Sequence, residues 1–412
     1  MEKKKLVVIG GGAAGFFCAV NAARIHPYMD VILLEKTGKL LSKVKVSGGG
    51  RCNVTHACYS IAEMIKKYPR GAAFLKKAFH HFFTTDTIQW FNERGVQLKT
   101  EQDGRMFPLT NNSQTIINCM LDEAAKYDVQ IEMNAGVAGI IKLGDQWQLN
   151  LSSGKIIYTD SVCIAAGGSA KISQFDWLQK LGHTIEAPVP SLFTFNMPGN
   201  SITALPGVSV ENVTVKIAGE KLQQSGPLLI THWGMSGPAI LKLSAYAARI
   251  LADKNYSFTA IINWLPDFNE INLKEKFQLL RFDIAAQKIA NRNPFTLPAR
   301  LWEFLLNESG IKPDIRWADL PAKEQNKLIK NLCAQEFPVK GKTTFKEEFV
   351  TAGGIKTEEI DVNTMESKLH KGLFFAGEII NIDGITGGFN FQNAWTTGWL
   401  AAKGAGEYTG NS

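Results

Sequence analysis

The first apolar run, Leu6 to Ile9, stops at a glycine, and Ala13 to Arg24 follows as an apolar helical stretch closed by His26 and Pro27. Val31 to Leu34 is a second β-type run ending on Glu35. Strand, glycine turn, helix and strand within about thirty residues form a βαβ unit, the opening of a doubly wound parallel sheet. Helical patterns follow over Ser60 to Tyr68, Ala72 to Phe83, Thr85 to Gly95 and Ser113 to Tyr127. Short strands are predicted at Val129 to Met133, Gly139 to Leu143, Trp147 to Leu151 and Ile156 to Tyr158, with Gly-Asp and Ser-Gly turns between them. Ser161 to Ala166 reads as a buried strand running into Gly167 and Gly168.

The pattern changes near Pro188. Prolines at 188, 190, 198 and 206 punctuate Phe193 to Asn196 and Val208 to Ile217, where apolar and polar residues alternate as in half-buried antiparallel strands. Helices are predicted from Pro238 to about Arg249, over Leu273 to Ala290, Ala299 to Leu306 and Ala322 to Cys333, with a strand at Tyr256 to Trp264. Gly372 to Gly377 returns to the buried-strand style, and Asn393 to Lys403 reads as a closing helix. The expected fold is α/β: a discontinuous, doubly wound Rossmann-like domain over 1–190 and 341–412, with an insert at 191–340. The insert divides into a barrel-like sheet at 191–265 and a helical part at 266–340.

Composition narrows the class without changing this outline. At 412 residues two to three domains are expected. With 45% hydrophobic and 20% charged residues, disorder, collagen and coiled coil are excluded. The net charge of +7 suits an anionic ligand but does not by itself argue for nucleic acid. The six cysteines form no Cys-x-x-Cys, which removes a zinc ribbon and a local dithiol, and free thiols fit the cytoplasm. Lys3 to Lys5 before an uncharged stretch imitates a signal peptide, but the Gly10-Gly11-Gly12 run argues against that reading. No other stretch is apolar enough for a transmembrane helix, and no membrane partner is expected.

Three glycine clusters carry the candidate chemistry. Gly10, Gly12 and Gly15, with Ala13 and Ala14 between, fit the dinucleotide fingerprint. Gly10 makes the turn, Gly12 admits a pyrophosphate and Gly15 packs helix on strand. Glu35 stands where a ribose diol is bound, and its charge would repel a 2′-phosphate. In the second cluster, Gly48, Gly49 and Gly50 precede Arg51, Cys52 and Asn53. The glycines permit close approach of a flat ligand, while Arg51 and Asn53 offer donors. Cys52 reads as a packing residue rather than a reactive thiol. The third runs from Gly377 and Glu378 through Asp383 to Gly387, Gly388, Asn390 and Phe391, where a second helix N-terminus is predicted. Such a terminus stabilises a reduced isoalloxazine near its N1 and O2 edge, and Asp383 suits a ribityl hydroxyl or a water-bridged phosphate. Ala166 and Gly167, at the end of a strand, join the candidate cofactor contacts.

These motifs, with the Thr231 to Leu241 segment and Thr351 to Gly354, resemble in order and over the whole chain the bacterial FAD-dependent oxidoreductases of the aminoacetone oxidase-like family, whose relatives include bile-acid dehydro-steroid reductases. The resemblance implies FAD, a doubly wound FAD domain and a β-barrel plus helical insert. It also implies cofactor contacts at Lys36 and Lys43, and at Val137 through its backbone. Lys45 departs from the family pattern, where an apolar residue is more usual.

The expected activity is an FAD-dependent oxidoreductase acting on a small organic substrate, with no catalytic acid or base assigned. It is either a reductase supplied by NADH or NADPH or an amine- or ketone-type oxidase; no second glycine fingerprint marks a separate NAD(P) domain. Two competing readings are an RNA-modifying flavoprotein and a flavin-binding protein without turnover. The first rests on the basic stretch from Lys66 to His81, for which a solvated helix face is the preferred reading. His232 reads as a hydrogen-bonded core histidine in preference to a general acid, and the spacing of His80 and His81 supports no metal.

Overall fold

The strands Lys4–Ile9, Met29–Leu34, Gln130–Glu132, Ser161–Ile164 and Leu373–Phe375 form one parallel sheet in the spatial order 3-2-1-4-5 when numbered along the chain. This is the doubly wound order, in which the winding direction reverses between the first and fourth strands and opens a crevice at their carboxyl ends. The arrangement comes from a computed structural model that describes residues 3–169, 171–343 and 350–407. Its contacts divide the chain into two units, Met1–Ser191 with Phe345–Ser412, and Leu192–Thr344.

In the first unit the strands Lys4–Ile9, Met29–Leu34, Ser161–Ile164 and Leu373–Phe375 are largely buried on both faces, which is why they read as continuous apolar runs, whereas the edge strand Gln130–Glu132 is partly exposed. The helix Ala13–Ile25 packs closely on the final helix, Phe389–Glu407. A methyl group on Gly398 would lie 2.7 Å from the carbonyl oxygen of Ala14, so glycine sets how near the two backbones come. Phe17 fills the adjoining core against Phe82, Trp90 and Trp395, with ring centroids 5.5, 4.7 and 5.2 Å away. A three-stranded antiparallel sheet, Val137–Leu143, Gln146–Leu151 and Ile156–Thr159, follows the third parallel strand.

The second unit is built on seven antiparallel strands. Their order is Gln335–Lys340, Ser257–Asn263, Ser209–Ile217, Gln223–Thr231, Gly234–Ser236, Thr194–Asn196 and Lys342–Thr343. The two end strands are neighbours in sequence, joined by Gly341. Its N–H donates to the Tyr256 carbonyl at 2.8 Å and its carbonyl accepts from Asn196 N–H at 3.2 Å, so the sheet curls into a barrel. The helices Glu270–Asp283, Ala299–Ser309 and Ala322–Ala334 bury Phe277, Trp302 and Leu328 in the same core. The sequence placed residues up to 340 in the helical part, but Gln335–Lys340 returns to the sheet. The strand Gln223–Thr231 went unread because Gly226 and Pro227 interrupt its alternation.

Candidate functional site

The first strand ends at Gly10, whose φ of +115° suits only glycine and whose added Cβ would lie 2.3 Å from the Ala165 carbonyl oxygen. The turn is therefore pressed against the end of the fourth strand, at the switch point. Gly15 fails to admit a methyl group for the same kind of reason, since its Cβ would meet the Gly10 carbonyl oxygen at 1.9 Å. Gly12 is different. It caps the helix Ala13–Ile25 in an extended conformation any residue adopts, and a Cβ there meets no protein atom within 4 Å. Space at Gly12 beside unpaired first-turn amides is what a pyrophosphate requires.

Glu35 is fixed at one edge of this turn. Its carboxylate accepts from Gly11 N–H at 2.9 Å and from Thr37 N–H and hydroxyl, each at 2.8 Å. Ala135 N–H donates to the Glu35 carbonyl at 2.8 Å, which brings the segment ahead of Val137 alongside, while the Lys36 side chain is exposed. At the other edge Gly377, at φ +76°, would place a Cβ 2.7 Å from that of Ala14. The adjoining Glu378 accepts from Lys43 Nζ at 2.7 Å and from Thr351 N–H at 2.8 Å. The exposed Ala166 and the left-handed Gly167 continue the fourth strand beside them, and a Cβ on Gly167 also meets nothing.

The second cluster is not a plain loop. Residues from Ser42 form a short helix that breaks at Ser47, and Gly48, Gly49 and Gly50 then run left-handed with φ of 58°, 69° and 82°. Added Cβ atoms on Gly49 and Gly50 meet nothing, so this strip also leaves room for a flat ligand. Arg51 is turned inward: its guanidinium pairs with Glu101 at 2.6 Å, donates to the Gly48 carbonyl and lies 4.0 Å from the Phe107 ring centre. Cys52 is fully buried and burial pushes its thiol up to about 12, so it packs and does not react. Asn53, with its amide oriented to satisfy both neighbours, accepts from Gly388 N–H at 2.9 Å and donates to the Thr55 carbonyl at 3.0 Å. That pair ties the second cluster to the third.

In the third cluster the side chains hold the loop. Asp383 is completely buried; Arg70 engages both its carboxylate oxygens and Ser191 Oγ donates at 2.9 Å. Burial raises its pKa while Arg70 opposes that rise. Asn390 clamps Gly384, accepting from its N–H at 2.8 Å and donating to its carbonyl at 2.9 Å. Phe391 stacks on Trp395 at 5.7 Å. Arg51, read from sequence as a ligand donor, and Asp383 and Asn390, expected at the cofactor, thus each make hydrogen bonds within the protein. Residues not singled out from sequence complete the site. His56 donates from Nδ1 to the Gly387 carbonyl at 3.0 Å and stacks on Phe389 at 4.7 Å, while Gln392 accepts from Thr55 Oγ1 at 2.6 Å. The only sequence signal for His56 was its place three residues after Asn53. His232 is exposed in the turn before Gly234, which corrects the core reading. No group of metal-ligating side chains occurs among the described residues.

Residues 4–404 match the family described as the HI0933-like protein Rossmann domain. The chain belongs to that family. It is 30% identical to the ribosomal RNA dihydrouridine synthase of Escherichia coli, over 98% of both chains. It is 25% identical to the 3-dehydro-bile acid delta(4,6)-reductase of Clostridium scindens, over 98% of this chain and 99% of that one. A flavocytochrome c3 fumarate reductase in its open conformation shares the fold, with a TM-score of 0.52 at 15% identity over 99% of this chain and 78% of that one. Like its family, the chain is an FAD-dependent oxidoreductase. The α/β class read from sequence holds, and among the described residues no helix is long and apolar enough to cross a membrane.

Proposed function

We propose that this oxidoreductase saturates a carbon–carbon double bond conjugated to a carbonyl, and that its substrate is a uracil base in ribosomal RNA. One observation carries the reading: relatives matched over nearly their full length are named for a dihydrouridine product and for a 4,6-unsaturated 3-oxo steroid. Both names describe addition of two hydrogens to an enone-like system. The 30% match favours the uracil ring, and the 25% match supports a small steroid enone as the second reading.

Bound FAD would supply a two-electron carrier between a donor, NADH or NADPH, and the double bond. The residues fit it. Gly12, Gly49, Gly50 and Gly167 leave the space, Glu35 is set for ribose hydroxyls, and Asn53 with His56 steadies Gly387 and Gly388 at the start of the last helix. The N-terminus of that helix favours negative charge beside it. Addition across the bond takes hydride at the carbon β to the carbonyl and a proton at the α carbon. A ribosomal RNA target and free thiols support a cytoplasmic setting.

The test is nucleoside mass spectrometry of ribosomal RNA from a strain lacking the gene. Dihydrouridine should be missing there and return with the wild-type gene. Its persistence would refute the uracil reading and direct work to anaerobic flavin reoxidation by steroid enones.

A further inference from the structure

Resting on that reading, we infer that the face of helix Ala72–Ala78 is the docking surface for RNA flanking the target base, with an adjoining cavity for an unpaired nucleotide bearing an exocyclic amine. From Met64 to Thr85 the chain holds no acidic residue. Folding sorts this stretch by helical spacing: Leu75, Ala78 and Phe79 are buried, while Ala73, Lys76, Lys77 and His80 are exposed along one stripe. Arg70 is committed to Asp383 and Lys66 pairs with Glu63 at 2.6 Å. Among the described residues no carboxylate pairs with Lys76, Lys77 or His80. Two unneutralised lysines on that stripe, Lys76 and Lys77, complement a phosphate backbone.

The second observation is a cavity of about 420 Å³ at the start of the same helix, lined in part by Ala73, Phe74, Glu186, Lys356, Glu358 and Asn381. Its size suits a nucleotide. Phe74 is half-buried and offers an aromatic face for stacking, as unpaired bases require. Arg70 also lines it but is committed to Asp383, and Lys356 is paired with Glu186, which leaves acceptors at Glu358 and Asn381. Asn381 Oδ1 is buried without a hydrogen-bond partner, and the two glutamates add carboxylates, one of them 3.4 Å from Lys356. Carboxylates repel phosphate, so phosphates track the lysines outside while the base enters. An acceptor-rich wall selects adenine, cytosine or guanine, which carry amino donors, over uracil, which carries only one N–H.

The experiment uses the FAD-loaded full chain and fluorescein-labelled oligocytidylate, oligoadenylate and oligouridylate. Wild type should bind the first two more tightly than the third. Lys76→Glu with Lys77→Glu should lower affinity for all three by about tenfold or more, and should flatten the salt dependence by about 1.4 in slope for two lost contacts on a single strand. Ala73→Trp, on an exposed helix position, should erase the base preference and keep the salt slope. Both variants should retain flavin absorbance and melting temperature. Unchanged affinity and slope in the double variant overturn the docking face, and the absence of base preference in wild type overturns the cavity's role. Loss of binding to phosphatidylglycerol vesicles but not to RNA would make the stripe a lipid contact and also overturn it. Dihydrouridine restored equally by wild type and double variant would leave the proposed activity standing and remove this surface. RNA binding that responds as expected, without dihydrouridine formation by wild type, would remove the activity and keep the surface.

Discussion

Gly12 and Gly15 lie three residues apart in one fingerprint, yet substituting alanine should produce opposite phenotypes. At Gly15 the new Cβ would stand 1.9 Å from the Gly10 carbonyl oxygen, so backbone must move whether or not cofactor is present. Overpacking of this kind costs about 1–3 kcal/mol or more, which at roughly 2–4 °C per kcal/mol lowers the melting temperature by about 2–12 °C. At Gly12 the Cβ meets no protein atom within 4 Å and the backbone is extended, with φ −92° and ψ −172°. The remaining cost is the small difference between glycine and alanine at an N-cap, under about 1 kcal/mol. The apoprotein carrying Gly12→Ala should therefore melt within about 3 °C of wild type. The methyl group instead occupies the pyrophosphate approach, weakening FAD binding by about 1–3 kcal/mol, or 5- to 150-fold; Gly12→Val should abolish it. The assay pairs thermal melts of stripped protein with FAD titration followed by flavin fluorescence. Wild-type affinity in Gly12→Ala, or an apoprotein melting as low as Gly15→Ala, would refute the assignment of the open side of this turn to the cofactor.

Other outcomes follow from the same contacts. Glu35→Ala should weaken FAD binding by about 1–3 kcal/mol through lost ribose hydrogen bonds, read by the same titration. Arg70→Ala strands the buried Asp383 carboxylate and should cost about 3–5 kcal/mol in a denaturant melt; adding Asp383→Asn should recover part of that loss. His183 is buried and donates from Nδ1 to Glu359 at 2.9 Å, and burial lowers its pKa below the usual 6.5. The unfolded chain then binds more protons below pH 6.5, so stability should fall as pH drops through that value. The slope is at most about 1.4 kcal/mol per pH unit from this group, and His183→Gln should flatten it in melts at graded pH. Iodoacetamide at neutral pH should leave Cys52 unmodified in peptide mass spectra, since its thiol is pushed up to about 12.

What the sequence made legible was backbone. Gly10 and Gly15 could be read because a tight turn and a close approach of backbone each exclude side chains locally, and Glu35 because it ends the next strand. Four of the parallel strands were equally plain, since burial on both faces leaves nearly unbroken apolar runs. Side-chain roles were not legible where the partner is remote in sequence. Nothing near Asp383 announces Arg70, 313 positions away, and nothing near Arg51 announces Glu101. Both charged residues look available until folding supplies those partners. His56 escaped notice for the converse reason: its partner Gly387 offers only a carbonyl, which leaves no trace in composition.

The pairing of Thr194–Asn196 with Lys342–Thr343 has an evolutionary and practical corollary. The barrel unit's chain begins and ends on adjacent strands, and in the other unit Ile185–Ser191 pairs with Val350–Ile355 in the same antiparallel manner. Each unit thus presents two chain ends side by side, the arrangement that makes a domain a transferable cassette. A lineage can exchange the segment between residues 192 and 344 without rethreading the nucleotide-binding sheet. An engineer has the same freedom, with a short turn in place of the whole insert.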